Sequence, residues 1–234
     1  SKTVTVLGST GSIGTQALEV IEMQGYEVTA LTAGVNTDII EKQIRKFKPK
    51  YAAMADEKAA EELKIKVADT DTVVLSGVKG ICECASLGAD YVLNSIVGMA
   101  GLEPTIAAIN AGSELALANK ETLVAGGQLV MNLAKEKGVR TLGIVNVVGS
   151  SIAREADSVI YTWAGPEIAV ASTKAYTVQL AVMYLFALRL AYACGKLDEQ
   201  TTKALTAELL DTAPKMIQKA LDSEKACAAI AKKY

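Results

Sequence analysis

Residues 3–21 read TVTVLGSTGSIGTQALEVI, and the order of chemistries along that stretch decides the fold. Thr3–Leu7 is a run of β-branched and apolar residues suited to a buried strand. Gly8-Ser9-Thr10-Gly11-Ser12-Ile13-Gly14 follows, and Ser12–Met23 then carries apolar residues at helical spacing. A strand that enters a helix through such a turn is the start of a doubly wound α/β sheet. Gly8 allows the tight turn, Gly11 lets a pyrophosphate approach the backbone, and Gly14 lets helix and strand pack closely. The first helical N–H groups have no carbonyl partners and offer a positive dipole end to an anion. A glycine turn that binds nothing stays open as the alternative, because the spacing is G-x-x-G-x-x-G.

Outward from this stretch the same alternation continues. Strands are expected at 26–32, 51–54, 73–75, 91–95, 114–118, 141–145 and 158–161. Helices are expected at 37–47, 57–63, 78–86, 101–111, 122–137 and 172–194, with Gly138 as a left-handed cap. The pattern predicts an α/β, doubly wound (Rossmann-like) parallel sheet with helices on both faces. After residue 195 no strand is credible, so a C-terminal helical extension closes the chain. The expected organisation is a single domain over 1–234. Residues 1–132 form its dinucleotide-binding segment, 133–195 complete the sheet, and 196–234 are a helical tail.

Composition narrows the chemistry. The 234 residues are half hydrophobic, carry a net charge of −2 and include two Phe and one Trp. Neither charge nor stacking surface favours nucleic acid or an anionic membrane as a partner. Thr3–Leu7 has no cationic leader or cleavage pattern, so no signal peptide is expected. The apolar run Leu180–Cys194 contains Arg189 and is too short to span a bilayer, so it reads as a buried helix. Cys82, Cys84, Cys194 and Cys227 show no framework spacing, which points to a reduced, cytoplasmic compartment. The chain has no histidine, which excludes imidazole bases, Ser-His-Asp and Cys-His chemistry and His-ligated zinc.

The second strand should read the adenosine ribose. It ends Leu31-Thr32-Ala33-Gly34-Val35-Asn36 with no carboxylate, which is permissive for a 2′-phosphate and argues for NADP(H) over NAD. Asn36 also suits capping of the helix that starts at Thr37, and both roles are compatible.

The segments TVLGSTGSIGTQALEVI, ALTAGVNTDIIEKQI, KPKYAAMADE, VLSGVKGICECASLGADYVLNSIVGMAGLEPTIAAINAG and LALANKETLVAGG, between Thr3 and about Val130, resemble the NADPH-binding part of 1-deoxy-D-xylulose 5-phosphate reductoisomerase. That resemblance implies that Thr10, Gly11, Ser12 and Ile13 line the pyrophosphate and that Gly34 and Asn36 flank the 2′-phosphate. It places Asn119 and Glu121 by the nicotinamide ribose and turns Lys120 to the substrate. Val35 stands where some family members have lysine, which removes a charge-assisted contact. The family continues into a V-D-S-E-H segment whose Asp and Glu ligate a divalent metal. Here the chain reads Gly143-Ile144-Val145-Asn146-Val147-Val148-Gly149, so no metal site and no reductoisomerase turnover are expected.

From about Leu133, AKEKGVRTLGIVNVVGSSIAREADSVIYTWAGPEIAVASTKAYTVQLAVMYLFALRLA resembles a different family. It is similar to the latter half of the first SIS (sugar isomerase) domain of glutamine–fructose-6-phosphate aminotransferase. The tail DEQTTKALTAELLDTAPKMIQKAL extends that likeness. Of the substrate contacts it implies, only a backbone contact at Val170 carries over. Ser150, Ser151, Ser172 and Thr173 read as helix caps, and Glu167 and Lys174 as solvated or structural.

Two resemblances meeting within 129–138 make the chain a chimera, with deliberate recombination favoured over natural fusion. The expected protein is catalytically inactive, with weak NADP(H) binding at Gly8–Gly14. An alternative is an NADP(H)-dependent oxidoreductase with Lys120 or a nearby Tyr as proton donor, although Lys120 reads equally as a surface charge at a strand end. Another is a sugar-phosphate-binding or homodimerising SIS-type module that pairs through its C-terminal helices.

Overall fold

The computed structural model describes residues 1–166 and 173–232. The chain divides into two compact units, Ser1–Leu142 with Arg154–Ser158, and Gly143–Ala153 with Val159–Tyr234.

The first unit is built on β1 (Thr3–Leu7), α1 (Ser12–Gln24), β2 (Glu27–Ala33), α2 (Thr37–Phe47), β3 (Tyr51–Met54) and α3 (Glu57–Lys66). It continues with β4 (Val73–Ser76), α4 (Gly77–Ala85), β5 (Tyr91–Asn94), a 3-10 turn at Gly98–Gly101, α5 (Leu102–Asn110), β6 (Glu114–Leu117) and α6 (Lys120–Glu136). The six strands pair in parallel in the order β4-β3-β2-β1-β5-β6. Successive strands step outward from β1 in one direction as far as β4, and β5 then returns to its other side. A crevice therefore opens outside the carboxyl ends of β1 and β5, where doubly wound sheets bind ligands.

Parallel sheets are covered on both faces, and the core divides accordingly. Val4, Val6, Leu31, Ile40, Ile44, Met54 and Leu63 fill one side. Leu7, Ala30, Ala53, Ile81, Cys84, Val92 and Ala108 fill the other. Each fully buried Leu, Ile or Met contributes about 2–3 kcal/mol over exposure. Helix α1 buries Gly14, Leu18 and Ile21, a single stripe at helical spacing. It ends at Gly25 with φ +65, whose N–H returns to Glu22 O while the N–H of Tyr26 returns to Ile21 O. Gly138 is likewise left-handed at φ +68 after α6, as its sequence position predicts.

In the second half of the chain come β7 (Leu142–Val145), α7 (Ser151–Glu155), β8 (Ser158–Tyr161) and α8 (Thr173–Ala193). Then follow α9 (Glu199–Ala207), a π-turn at Glu208–Thr212, α10 (Ala213–Leu221) and α11 (Glu224–Ala231). Strands β7 and β8 form a two-stranded sheet of their own. Bonds from Ser158 N to Thr141 O and from Thr162 N to Val145 O advance together, so the pair is parallel.

The structure corrects four expectations. Residues 133–195 do not complete the first sheet, and the chain forms two units rather than one domain. The reason lies in the strands: β6 exposes Glu114 and Ala116 and only half-buries Leu115 and Leu117. Gly143 is the one buried residue of β7. Neither carries the two apolar faces of an interior parallel strand. Leu180–Cys194 is not a buried helix either, because no described side chain from 174 to 232 is buried. Nor is its helix too short to span a bilayer. Within α8, Lys174–Ala193 is long and apolar enough to cross a bilayer by length and composition alone, with a mean hydropathy of 1.3 over its most apolar window.

Candidate functional site

The loop between β1 and α1 is held from three directions. Gly8 has φ +81, and a Cβ there would lie 3.0 Å from Ser95 Oγ and 3.1 Å from the Ser95 carbonyl carbon, so only glycine suits the turn. The N–H of Gly8 reaches both Thr32 O and Thr32 Oγ1 at 3.1 Å, and the N–H of Ser9 reaches Thr32 O at 2.8 Å. Ser95 Oγ donates to Leu7 O at 2.8 Å. From the third side, Gln43 on α2 bonds Ser9 twice: Ser9 Oγ donates to Oε1 at 2.7 Å and Nε2 donates to Ser9 O at 2.9 Å.

Helix α1 sits directly on this loop. A Cβ at Gly14 would come within 2.6 Å of Ser9 Cα, which accounts for the glycine that closes the motif. Gly11 occupies the N-cap without a side-chain bond, and no acidic residue lies in the first turn. Gly11 N donates to Gly8 O at 3.2 Å, and Thr15 N to Gly11 O at 2.9 Å. The N–H groups of Thr10, Ser12, Ile13 and Gly14 have no acceptor among the described residues. Gly11, Ser12 and Ile13 are exposed. The arrangement is an open anion seat of unpaired donors at a positive helix end.

Beyond β2, Gly34, Val35 and Asn36 are exposed. Asn36 Oδ1 accepts from Ile39 N at 3.1 Å and so caps α2, while its amide NH2 has no acceptor among the described residues. The cap and the outward donor coexist in one side chain.

On the other side of the crevice a buried polar network shapes residues 94–101. Asn94 donates to Gly101 O and Thr105 Oγ1, both at 2.9 Å, and accepts from Ile96 N at 3.1 Å. Asn119 donates to Ile96 O at 2.5 Å and Gly98 O at 2.6 Å and accepts from Thr122 N at 3.1 Å. Its side chain is therefore fully engaged in holding the loop and capping α6, which leaves its backbone for any ligand. Glu121 is half-buried in the first turn of α6. Lys120 opens that helix, and its side chain and Val170 lie outside the described residues.

In the second unit, Asn146 donates to Gly165 O at 2.8 Å and accepts from Ala164 N at 2.8 Å and Thr162 Oγ1 at 3.1 Å. Ser150 Oγ accepts from Ala153 N at 3.3 Å, the capping role expected of it. Lys174 Nζ donates to Pro166 O at 2.5 Å. Glu167 and Ser172 lie outside the described residues. Among the described residues no three Cys, Asp or Glu side chains gather as metal ligands. Cys84 is buried, and its burial pushes the thiol up to about 12.

Gln43, Thr32, Ser95 and Asn94 escape the sequence reading. Gln43 had a usable signal: α2 buries Thr37, Ile40, Gln43 and Ile44, so a long polar side chain lies on the apolar stripe and must find partners there.

A parallel sheet that reverses its strand order beside a glycine turn and an open helix end defines the doubly wound, Rossmann-like class. A family model for 1-deoxy-D-xylulose 5-phosphate reductoisomerase matches residues 4–127, more than half of the chain, and the chain belongs to that family. A SIS domain model matches residues 128–189. The reductoisomerase of Agathobacter rectalis is 50% identical over 145 residues, 61% of this chain and 38% of that protein. That of Desulfitobacterium hafniense (strain DSM 10664 / DCB-2) is 47% identical over 174 residues, 70% of this chain and 45% of that protein. Among solved structures, the Zymomonas mobilis reductoisomerase in complex with NADPH aligns with a TM-score of 0.57 at 40% identity. That alignment covers 58% of this chain and 37% of the other. A DOX-P reductoisomerase in complex with NADPH, fosmidomycin and magnesium aligns with the same score at 38% identity, covering 59% and 35%. The chain thus spans between a third and a half of the relatives it matches.

Proposed function

We propose that the first unit binds NADP(H) and that the chain does not carry out the reductoisomerase reaction. One observation carries the binding half: four N–H groups, of Thr10, Ser12, Ile13 and Gly14, with no acceptor among the described residues, surround a helix end left uncapped by Gly11. In this reading they hold the pyrophosphate, with Gly8 and Gly14 setting the shape of the seat. Gly34 and the free amide of Asn36 receive the 2′-phosphate. The Asn119 backbone and Glu121 lie by the nicotinamide ribose. The relative solved with NADPH supports the choice of ligand. NADPH, when bound, supplies a hydride. Val35 offers the 2′-phosphate no charge, so affinity is expected to be weak. Titration of NADPH, followed by its fluorescence and by the thermal midpoint, tests the site; no shift at millimolar cofactor removes it.

The absence of turnover rests on chemistry within the chain. Rearrangement of deoxyxylulose phosphate needs a divalent ion to hold adjacent oxygens and stabilise developing charge. The residues present do not fit that ion, since Asn146 stands in the segment where the resemblance calls for carboxylates and its amide is bonded to Thr162, Ala164 and Gly165. Steady NADPH consumption with any ketose or aldose phosphate, abolished in Lys120→Ala, would instead favour the oxidoreductase. The two family matches meet at residues 127 and 128, inside α6, which supports a chain recombined by design. An uninterrupted chromosomal reading frame for the whole chain would refute that origin.

The second unit favours one further reading. Tyr184 and Leu188 of α8, Leu205 of α9 and Met216 and Ile217 of α10 line an open apolar groove of about 640 Å³. We read it as the contact between two copies of this chain, because Tyr184, Leu205, Leu210, Met216, Ile217 and Leu221 all stay exposed on these helices, and apolar side chains left uncovered together mark an association site. Sedimentation should show a dimer that Met216→Glu dissociates. A monomer at all concentrations would end this reading.

A further inference from the structure

We propose that Gln43 is a positioning residue for the cofactor. It touches no ligand itself, but its bond to the Ser9 carbonyl aims the Thr10 N–H at the pyrophosphate. The inference rests on the NADP(H) reading above.

The geometry begins with the peptide plane between Ser9 and Thr10. In a trans peptide the C=O and the following N–H lie in one plane and point in opposite directions, and the chain contains no cis peptide among the described residues. Gln43 Nε2 holds Ser9 O at 2.9 Å on the α2 side. The N–H of Thr10 must therefore face away from α2, and no acceptor among the described residues meets it there. Whatever fixes the Ser9 carbonyl fixes the direction of that donor.

Only an uncharged primary amide does this here. Ser9 is fully buried and Gln43 is 8% exposed, so both must satisfy their polar atoms within the protein. Gln43 supplies an acceptor for the Ser9 hydroxyl and a donor for the Ser9 carbonyl in one group. An ionised glutamate would keep the first bond and lose the second. The Ser9 N–H is already committed to Thr32 O at 2.8 Å, so all three polar groups of Ser9 are tied. Ser9 is also the residue on which Gly14 rests, so the same clamp locates the first turn of α1. Without it the Ser9–Thr10 peptide is free to rotate, and a carbonyl oxygen then competes with the N–H for the side facing phosphate.

The test separates the clamp from general loss of stability. Dissociation constants for NADP+ are measured by calorimetry on the full chain and on Gln43→Met, Gln43→Glu and Ile81→Ala, beside their thermal midpoints. Ile81→Ala removes a buried side chain from the other face of the sheet, and it should lower the midpoint while affinity stays within about threefold of wild type. Gln43→Met and Gln43→Glu lose the carbonyl bond and should weaken NADP+ about tenfold or more. A merely structural role would make affinity follow the midpoint across all three variants, and that result overturns the proposal. In the wild-type chain, amide NMR should show the Thr10 resonance among those most shifted by NADP+; an unmoved Thr10 amide also overturns it, whether or not any variant folds. If the wild-type chain binds no NADP+, the cofactor reading itself falls. If it binds and Gln43→Met binds equally well, only the role of Gln43 falls.

Discussion

Replacing Gly14 by alanine puts the seat of α1 under direct test. The added Cβ would lie 2.6 Å from Ser9 Cα and 2.8 Å from the Ser9 carbonyl carbon, both backbone atoms that cannot rotate aside. Carbon atoms in contact prefer about 3.5–4.0 Å, so the helix start must retreat by about 1 Å. Overpacking of this kind costs about 1–3 kcal/mol, and the upper end applies because Ser9 is clamped from α2. At about 2–4 °C per kcal/mol for a unit of this size, the midpoint should fall by roughly 6–12 °C. Retreat also moves the N–H groups of Ser12, Ile13 and Gly14 off the pyrophosphate. Each lost charge-assisted bond is worth about 1.5–3 kcal/mol, so NADPH should bind at least about tenfold more weakly. Gly11→Ala is the contrast. Its Cβ would sit 3.5 Å from Gly8 O, an ordinary contact, and its φ of −79 suits alanine. That variant should keep its stability to within about 1 kcal/mol, yet lose affinity because the methyl enters the exposed side of the seat. Differential scanning fluorimetry with NADPH fluorescence titration reads both quantities. A Gly14→Ala chain with wild-type midpoint and affinity would refute the packing argument.

Further outcomes follow from the same geometry. Asn119→Ala should cost about 2 kcal/mol in urea unfolding, from a lost cap and two half-buried carbonyls left without their donor. Asn119→Asp should do no better, since a carboxylate cannot donate to Ile96 O or Gly98 O, and full recovery in Asp would show that those bonds carry nothing. The Asp90 carboxyl is held below its ordinary 3.8 by the Thr3 N–H, the Thr3 hydroxyl and Lys2. Because its folded value is depressed, its contribution is present above about pH 4 and lost as pH falls through the folded value. Asp90→Asn should narrow the gap between urea midpoints at pH 7 and pH 3, and an unchanged gap would contradict this. Thiol labelling at pH 8 should modify exposed Cys194 and Cys227 first, then half-buried Cys82, and Cys84 only on unfolding. Prompt modification of Cys84 would mean that the packing beneath α4 opens readily.

Much of the first unit was legible because its signals are local. Strand β1, the glycine loop and helix α1 follow from residue types read in order, and so does the Asn36 cap, whose partner lies three residues away. The strand–helix alternation predicted the parallel sheet because each crossover has one hand and short loops. The left-handed Gly138 was predictable from its place after the last periodic residue of α6. The Asn119 bonds were less legible, because the carbonyls that hold its side chain, those of Ile96 and Gly98, lie 23 and 21 residues away.

Sequence alone determined the periodicity, the junction between two family patterns and the unpaired helix end, because each depends on neighbours within a few positions. Tertiary structure decided which buried polar groups meet, as with Ser9 and Gln43, 34 residues apart. It also decided where the sheet stops and which helices lie open to solvent. Those outcomes depend on what covers each face, a property of distant residues that no local pattern records. A run such as Leu180–Cys194 has the same composition whether it is buried in its own fold or left uncovered, so only the packing of other elements against it could settle the matter.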